Sequence, residues 1–179
     1  MSELLTADLC DPHRDHPQAG APALQVLPPL WRDFGGMRRF HGPVSTVRCF
    51  EHNALVKAAV ESSGWLDTAA GRVARVLVVD GGGSLQRALL GGNLAAAAAA
   101  NGWAGVLVHG AVRDTAELAQ TALGVRALVS TPMSCPRAGG SAAVNDVPVC
   151  LHGVWIHPGH WLVADEDGMV LLHQAPLAL

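Results

Sequence analysis

Two short apolar runs on either side of an alanine-rich segment constrain the fold of this chain more than any other feature. Residues 75–80 (RVLVVD) are followed by three glycines, and residues 105–109 (GVLVH) follow the alanine-rich segment. Short runs without polar alternation are typical of strands buried on both faces. Because alanine is the strongest helix former, residues 94–101 predict a helix between the two strands. A strand, a helix and a strand in this order favour a right-handed parallel crossover.

Patterns on both sides of this unit extend the prediction. Residues 43–50 (PVSTVRCF) predict a strand because of their β-branched content. Residues 53–62 predict a helix, because apolar side chains recur there at three- and four-residue spacing and Gly64 ends the run. Three further elements are predicted: helices at residues 85–90 and 115–123, and a strand at residues 125–130.

The last third of the chain has a different pattern. Short β runs occur at residues 147–151, 154–157, 161–164 and 169–173, and turn signals such as Asp167-Gly168 join them. We therefore predict an α/β fold in layers, with parallel and antiparallel strands, forming one domain over residues 1–179. Residues 11–29 are rich in Pro, His and Asp and lack periodicity, so we expect a mobile loop there.

Composition limits the classes of function. A chain of 179 residues that is 50% hydrophobic can bury one core. The net charge of -3 provides no basic field for phosphates, so we expect no direct contact with nucleic acid. Acidic residues stand near the start where a secretion signal is basic, and the longest apolar stretch is far shorter than the roughly 20 residues that span a bilayer. We expect a cytoplasmic protein without a membrane segment.

Two glycine-rich turns are candidates for ligand binding. They are Gly81-Gly82-Gly83-Ser84 and Gly91-Gly92-Asn93-Leu94, and each precedes a predicted helix. The first amides of a helix bind carboxylates or phosphates without a charged side chain. The first turn lacks the third glycine of a dinucleotide fingerprint. The alternative is that these glycines serve only close packing.

Arg113 and Asp114 follow the second buried strand, where α/β domains place active-site residues. The guanidinium of Arg113 can grip a carboxylate with two hydrogen bonds, and the carboxylate of Asp114 can hold a hard cation. Each of the two residues also has an alternative role that involves no ligand. Residues 114–117 (DTAE) match a capping box, so Asp114 could cap the next helix, and Arg113 could form a surface ion pair.

The other polar residues have simpler interpretations. Residues 165–167 (DED) are typical of a solvated turn, although such carboxylates can also accept a proton. We interpret three histidines as surface or structural residues, namely His152, His157 and His160. Four scattered cysteines are interpreted as free thiols, namely Cys10, Cys49, Cys135 and Cys150.

Four segments together resemble one known family. They are FGGMRRFHGPVSTVRCFEHNALVK (34–57), VLVVDGGGSLQRALLGGNLA (76–95), GWAGVLVHGAVRDTAEL (102–118) and GVWIHPGHWLVADEDGMVLL (153–172). The chain is similar, from about residue 6 to residue 172, to regulator of ribonuclease activity A and the metal-dependent 4-hydroxy-4-methyl-2-oxoglutarate aldolases. The resemblance implies a swivelling β/β/α domain that assembles as a homotrimer, with active sites between subunits.

The aldolase branch of this family implies a role for each candidate residue. The backbone amides of one turn would bind a small 2-oxo diacid, namely those of Gly91, Gly92, Asn93 and Leu94. Arg113 would grip the substrate, and Asp114 would hold a divalent cation, Mg²⁺ or Mn²⁺. The implied reactions are cleavage of 4-hydroxy-4-methyl-2-oxoglutarate and decarboxylation of oxaloacetate, which share a pyruvate enolate.

The other branch of the family implies a protein without chemistry of its own. Its members are named for inhibiting ribonuclease E by protein contact, so the rival hypothesis is a trimeric inhibitor with a ribonuclease partner. The presence of Asp114 favours the enzyme. Gly92 and His160 favour the inhibitor, because aldolases of the family often carry aspartate at these two positions.

Overall fold

The computed structural model describes residues 4–15, 24–69, 71–136 and 143–176. The helices are α1 (Thr6–Cys10), α2 (Ala54–Glu61), α3 (Gly92–Ala100) and α4 (Thr115–Leu118), with a 3-10 turn at Asp11–His13. The strands are β1 (Leu24–Val26), β2 (Arg32–Asp33), β3 (Phe40–Arg48), β4 (Trp65–Thr68), β5 (Gly71–Ala74), β6 (Val76–Asp80), β7 (Ala88–Leu90), β8 (Gly105–Val112), β9 (Gly124–Ser130), β10 (Val144–Asn145), β11 (Val149–Leu151), β12 (Val154–Ile156), β13 (Trp161–Ala164) and β14 (Met169–Leu172). Among the described residues, no helix is long and apolar enough to cross a membrane.

A mixed sheet organises these elements. Its strand order is β1-β14-β13-β3-β6-β8-β9-β2, and β7 and β10 pair with β8 and β3. Strands β3, β6, β8 and β9 run parallel, whereas β13, β14, β1 and β2 pair in antiparallel fashion. The predicted parallel crossover from β6 to β8 is confirmed, as is the prediction of a layered α/β fold with both kinds of strand.

The central strands are buried on both faces, which explains their uninterrupted apolar runs. On β6, Val76 and Val78 join the core that packs against β11, β12 and β13, whereas Leu77 and Val79 join the core under the helices. Buried side chains of α2 and α3 complete the helix side, among them Val56 and Ala98. Helices α2 and α3 therefore cover one face of the parallel strands, and side chains of β11, β12, β13 and β14 cover the other.

The predicted helix at residues 85–90 is wrong. Its last three residues form the strand β7, in which Ala88 pairs in parallel with Ala111 of β8. The amide of Ala88 also donates a hydrogen bond to the carbonyl of Met133, at 2.8 Å. Leucine and alanine suit a buried strand as well as a helix, and here distant hydrogen-bond partners decide between the two. The Gly81–Gly83 turn therefore precedes a strand.

The predicted helix at residues 115–123 ends at Leu118. Two carbonyls beyond that point accept hydrogen bonds from another part of the chain. The amide of Gly36 donates to Thr121 at 3.0 Å, and the amide of Met37 donates to Leu123 at 3.3 Å. Because these carbonyls accept hydrogen bonds from residues 36 and 37, the helix ends earlier than predicted.

The segment predicted as a loop, residues 11–29, contains regular structure at both ends. Asp11–His13 forms the 3-10 turn, and Leu24–Val26 forms β1. Strand β1 pairs with β14 near the other end of the chain, with Leu24 opposite Leu172. Three residues are too few to show an alternating pattern in the sequence. The strand is therefore recognised only by its pairing with β14. Residues 16–23 of the predicted loop lie outside the described residues.

Replacing Gly124 with alanine is expected to lower the free energy of unfolding by about 2 kcal/mol. The ring of Phe40, which is 5% exposed, packs against the Cα atoms of Gly124 and Gly105, and a methyl group at residue 124 would overlap it. Urea unfolding measures the change. Gly168→Ala is the matched control, because a methyl group there meets no atom within 4 Å. Equal stability of the two variants would contradict this account of the Phe40 contact.

Candidate active site

The candidate site lies at the carboxyl ends of two neighbouring parallel strands. β7 ends at Leu90 and leads into Gly91 and α3, whereas β8 ends at Val112 and leads into Arg113 and Asp114. The amide of Arg113 donates a hydrogen bond to the carbonyl of Leu90, at 3.0 Å. The structure thus brings together two of the three candidate segments, namely the second glycine-rich turn and the Arg113-Asp114 pair.

Asp114 adopts a left-handed backbone conformation with φ of 56°, which turns its carboxylate away from its own helix. Its Oδ2 atom accepts a hydrogen bond from the amide of Gly92 at 3.1 Å, and it lies 3.4 Å from Nε of Arg113. No side-chain hydrogen bond from Asp114 caps α4. The capping-box interpretation is therefore wrong, because this carboxylate caps α3 instead.

The hydrogen bond between the Gly92 amide and Asp114 reduces the number of backbone amides in this turn that can bind a ligand. Gly92 uses its amide to hold Asp114, and Ala95 already donates to the carbonyl of Gly91, at 3.0 Å. The amides of Asn93 and Leu94 belong to the first turn of α3, in which the helix itself offers no acceptor. An anion at this helix end would therefore meet Asn93 and Leu94, two of the four predicted residues.

Glu117 is a member of the site that sequence reasoning missed. A Cβ atom at Gly92 would collide with the Glu117 carboxylate, and one at Gly91 would lie 2.6 Å from Oδ2 of Asp114. A side chain at either position would therefore displace one of these two acidic side chains from its present place. An aspartate at residue 92 would need the space that Glu117 fills. The capping-box spacing of Asp114 and Glu117 was the available signal, because it places Glu117 in the first turn of the helix that follows Asp114.

A cavity of about 630 Å³ opens beside these residues. It lies between α2, the first turn of α3, the ends of β7 and β8, and the segment at Ser134 and Cys135. The side chains of Arg113 and Asp114 are 41% and 37% exposed, so both reach solvent at this cavity. Its volume is within the range of small-molecule sites.

The donor set suits a hard divalent cation. Asp114 presents an exposed carboxylate, and Mg²⁺ typically binds one or two carboxylates and completes its shell with water and substrate oxygens. Within the part of the chain that the structure describes, no group of three or more His, Cys, Asp or Glu side chains has a metal-binding arrangement. The residues present therefore fit Mg²⁺ or Mn²⁺ better than a zinc centre held entirely by protein.

A second polar cluster joins the ends of β3 and β6. Asp80 lies 3.2 Å from Nε of Arg48 and 3.4 Å from Nδ1 of His109, and its carboxylate accepts a hydrogen bond from the amide of Gly82. Burial alone would raise the pKa of the Asp80 carboxyl, but the hydrogen bonds from His109, Gly82 and Arg48 outweigh it and lower that pKa. No motif in the sequence indicates this cluster, which we interpret as structural.

The histidines pack mainly against other rings. His152 lies with its ring centroid 4.7 Å from that of His109, and His160 lies 5.0 Å from His157 and 4.9 Å from His173. Partial burial and these two neighbouring histidines lower the pKa of His160.

All four cysteines are free thiols, and only Cys135 lines the candidate cavity among the described lining residues. Burial raises the pKa of the Cys135 thiol, and it raises that of Cys49 to about 12. A thiol must lose its proton to act as a nucleophile. The arrangement therefore does not favour cysteine catalysis at this cavity.

The acidic turn at residues 165–167 is only partly solvated, which corrects the prediction for its first member. Asp165 is 2% exposed and accepts hydrogen bonds from the amide and hydroxyl of Thr6, at 2.6 and 2.7 Å. It also accepts hydrogen bonds from the amides of Asp167 and Gly168. Glu166 is exposed and pairs with Arg39 at 2.7 Å. Asp165 is therefore a structural residue that ties α1 to this turn.

Comparisons with known proteins identify the family. Residues 6–171 match the model of the Aldolase/RraA family, described as RraA-like. A relative from Albidiferax ferrireducens, provisionally named a 4-hydroxy-4-methyl-2-oxoglutarate aldolase, is 60% identical over 166 residues, which cover 93% of each chain.

Two solved structures share the fold along nearly the whole chain. One is described as the RNA-processing inhibitor RraA from Thermus thermophilus; it has a TM-score of 0.84 and 44% identity, and the match covers 99% of this chain and 98% of that one. The other is described as an S-adenosylmethionine:2-dimethylmenaquinone methyltransferase from Geobacillus kaustophilus, with a TM-score of 0.81, 39% identity, and coverage of 98% and 99%. The three relatives carry three different functional names, but the fold and the family match agree: this chain belongs to the Aldolase/RraA family.

Proposed function

We propose that this protein is a divalent-metal-dependent lyase that acts on small 2-oxo diacids. Its reactions would be cleavage of 4-hydroxy-4-methyl-2-oxoglutarate into two molecules of pyruvate and decarboxylation of oxaloacetate. The observation that carries the proposal is the convergence of Arg113, Asp114 and the first turn of α3 at one cavity. The aldolase name of the 60% identical relative supports the same class of reaction.

The chain's own residues would bind and orient the substrate. Nε of Arg113 faces Asp114 at 3.4 Å, which leaves the two terminal nitrogens of the guanidinium for the substrate's carboxylate and 2-oxo group. The amides of Asn93 and Leu94, at the positive end of α3, would hold a carboxylate oxygen. The hydrogen bond from Gly92 keeps the Asp114 carboxylate beside this position.

Both reactions break the C3–C4 bond and leave its electron pair on a pyruvate enolate. A divalent cation held by Asp114 would supply a Lewis acid at the 2-oxo oxygen. Arg113 would stabilise the developing negative charge in a site that is already organised for it. In the cleavage, the C4 hydroxyl loses its proton and becomes the ketone of the second pyruvate. In the decarboxylation, C4 leaves as carbon dioxide, and in both reactions a proton then adds at C3.

We also propose that the chain acts as a single RraA-like domain in a homotrimer. Three exposed apolar side chains support a subunit interface, namely Met37, Trp65 and Leu66, which are 44%, 41% and 41% exposed. An assembly with sites between subunits would let Glu166 or Asp167 of a neighbouring subunit accept the hydroxyl proton. Both are exposed on their own chain.

The lyase proposal is tested by following pyruvate release from both substrates with Mg²⁺, with Mn²⁺ and with a chelator. We expect pyruvate from each substrate with either metal, loss of activity with the chelator, and recovery when excess metal is added. A protein that yields no pyruvate from either substrate at saturating Mg²⁺ would show that the proposal is wrong.

A second candidate function is inhibition of a ribonuclease E-type enzyme by protein contact. The name of the structure from Thermus thermophilus favours it, as does the absence of aspartate at Gly92 and His160. Gel-based RNA decay with and without the added protein tests this function. An unchanged cleavage rate at a molar excess of protein would count against it.

The methyltransferase name of the structure from Geobacillus kaustophilus receives less support from this chain. The Gly81–Gly83 turn leads into the strand β7 and not into a helix. Its amides therefore do not lie at the N-terminus of a helix, as those of a nucleotide-binding turn do. We therefore do not extend that activity to this protein.

A further inference from the structure

Lys57 is the only lysine in the 179-residue sequence, and it lies in the wall of the cavity beside Arg113 and Asp114. Of the described residues that line this cavity, Arg113 and Lys57 are the two cations. They come from different elements, since Arg113 follows β8 and Lys57 belongs to α2. The cavity therefore has a positive group on two of its walls.

The fold fixes where Lys57 stands relative to the strand ends. Asn53, at the start of α2, donates a side-chain hydrogen bond to the carbonyl of Leu89 at 3.2 Å, just before the Gly91 turn. Lys57 follows four residues later on the same side of the helix, about 6 Å further along its axis. One cation thus lies at the strand ends and the other lies one helical turn away.

The present partner of Lys57 is readily exchanged. Its Nζ atom lies 3.7 Å from Oε1 of Glu61, four residues along the same helix, and the two side chains are 60% and 53% exposed. Solvated pairs of this kind stabilise proteins only slightly. A ligand carboxylate can therefore replace Glu61 at little cost.

We propose that Lys57 binds the distal carboxylate of a 2-oxo diacid whose 2-oxo end lies at Arg113, and that this contact makes the protein prefer diacids to monoacids. The inference rests on the proposed function for the orientation of the ligand. Lys57 acts here as a specificity-determining residue for diacids with a five-carbon main chain such as 4-hydroxy-4-methyl-2-oxoglutarate, because the C5 carboxylate that it binds is retained unchanged when the C3–C4 bond breaks.

A different role for this lysine is an imine with the 2-oxo carbon. Imine formation requires a neutral amine, usually one that is desolvated or lies beside another cation. Lys57 is instead 60% exposed and lies 3.7 Å from the Glu61 carboxylate, so it is not desolvated. Charge pairing with the substrate is therefore the role that the surroundings support.

The test compares two ligands that differ only at C5. 2-Oxoglutarate carries a carboxylate there and 2-oxopentanoate carries a methyl group, and neither has the 4-hydroxyl or the β-carboxylate that the proposed reactions consume. Calorimetric titration with Mg²⁺ present measures both affinities. We expect the wild-type protein to bind the diacid about 10-fold more tightly, the gain of one charge-assisted hydrogen bond.

Lys57→Met is expected to remove this preference and to leave the affinity for 2-oxopentanoate unchanged. Lys57→Arg, the conservative control, should retain the preference, and Glu61→Gln should keep or strengthen it. Three results would overturn the inference: no preference in the wild-type protein, an unchanged preference in Lys57→Met, or an equal loss of affinity for both ligands. A covalent adduct on Lys57 after borohydride treatment with pyruvate would also overturn it.

The two proposals can fail separately. If the wild-type protein releases no pyruvate from either substrate but Lys57→Met loses the preference for 2-oxoglutarate, the proposed chemistry is wrong and the role of Lys57 stands. If pyruvate is released but Lys57→Met retains the preference, the chemistry stands and the role of Lys57 is wrong. Thermal unfolding of each variant confirms that the fold is retained in both cases.

Discussion

Asp114→Asn is expected to lower kcat/KM for metal-dependent pyruvate release by about 10³-fold, or about 4 kcal/mol of transition-state stabilisation. The substitution removes the negative charge that would hold the cation. It keeps an oxygen that can accept the hydrogen bond from Gly92, and asparagine tolerates the left-handed backbone at this position. Steady-state kinetics over a range of Mg²⁺ concentrations should show a higher metal requirement as well as a lower rate.

Asp114→Ala separates the charge from the helix cap. This variant loses the hydrogen bond to Gly92 as well, so we expect a similar loss of activity together with a free energy of unfolding about 1 kcal/mol lower than that of Asp114→Asn. Urea unfolding of the two variants measures the difference. Near wild-type activity in Asp114→Asn would show that the carboxylate does not hold a cation that the reaction needs.

Asp165→Ala is expected to lower the free energy of unfolding by about 3 kcal/mol. The carboxylate is buried and accepts hydrogen bonds from Thr6, Asp167 and Gly168, so its removal leaves those donors without their acceptor. Urea unfolding near neutral pH measures the loss. Asp167→Ala is the matched control, because its side chain is exposed and its amide is retained.

The same residue predicts a dependence of stability on pH. Burial would raise the pKa of the Asp165 carboxyl, but the hydrogen bonds from Thr6, Asp167 and Gly168 outweigh it and hold the pKa below its ordinary value. Its contribution to stability is therefore complete above the unfolded pKa of about 3.9 and is lost as the pH falls through the lower, folded pKa. Asp165→Ala should flatten the acid limb of the stability curve, and an equally steep limb would contradict this assignment.

The sequence was sufficient to predict the central parallel strands and the place where the site forms. Residues 75–80 and 105–109 are apolar without alternation, because helices cover one face of their strands and other strands cover the opposite face. The carboxyl ends of parallel strands lie at the same edge of a sheet. This geometry brings Gly91 and Arg113 together, although they are far apart in the sequence.

Elements that depend on distant partners could not be predicted in the same way. Residues 85–90 have the composition of a helix, but Ala88–Leu90 is a strand because β8 and Met133 supply its hydrogen bonds. β1 is three residues long and is defined by its pairing with β14. In such cases the local preference is weak, and tertiary contacts determine the structure.

Local sequence patterns could not predict the atomic arrangement of the candidate site either. The capping-box spacing of Asp114 and Glu117 predicts a hydrogen bond within one helix, whereas a single positive φ angle turns the Asp114 carboxylate to the neighbouring helix. Glu117 then packs against Gly92, where a side chain would displace the Glu117 carboxylate. Four-residue motifs carry no information about such contacts between elements.

The left-handed conformation of Asp114 also limits how this protein can diverge. Only glycine, asparagine and aspartate enter that region of backbone space readily, so most mutations at residue 114 would strain the turn. Asparagine differs from aspartate by one functional group and keeps the cap on α3. If Asp114 holds a cation as proposed, a single substitution could remove that cation and keep the scaffold, and the same surface could then serve only to bind a partner protein.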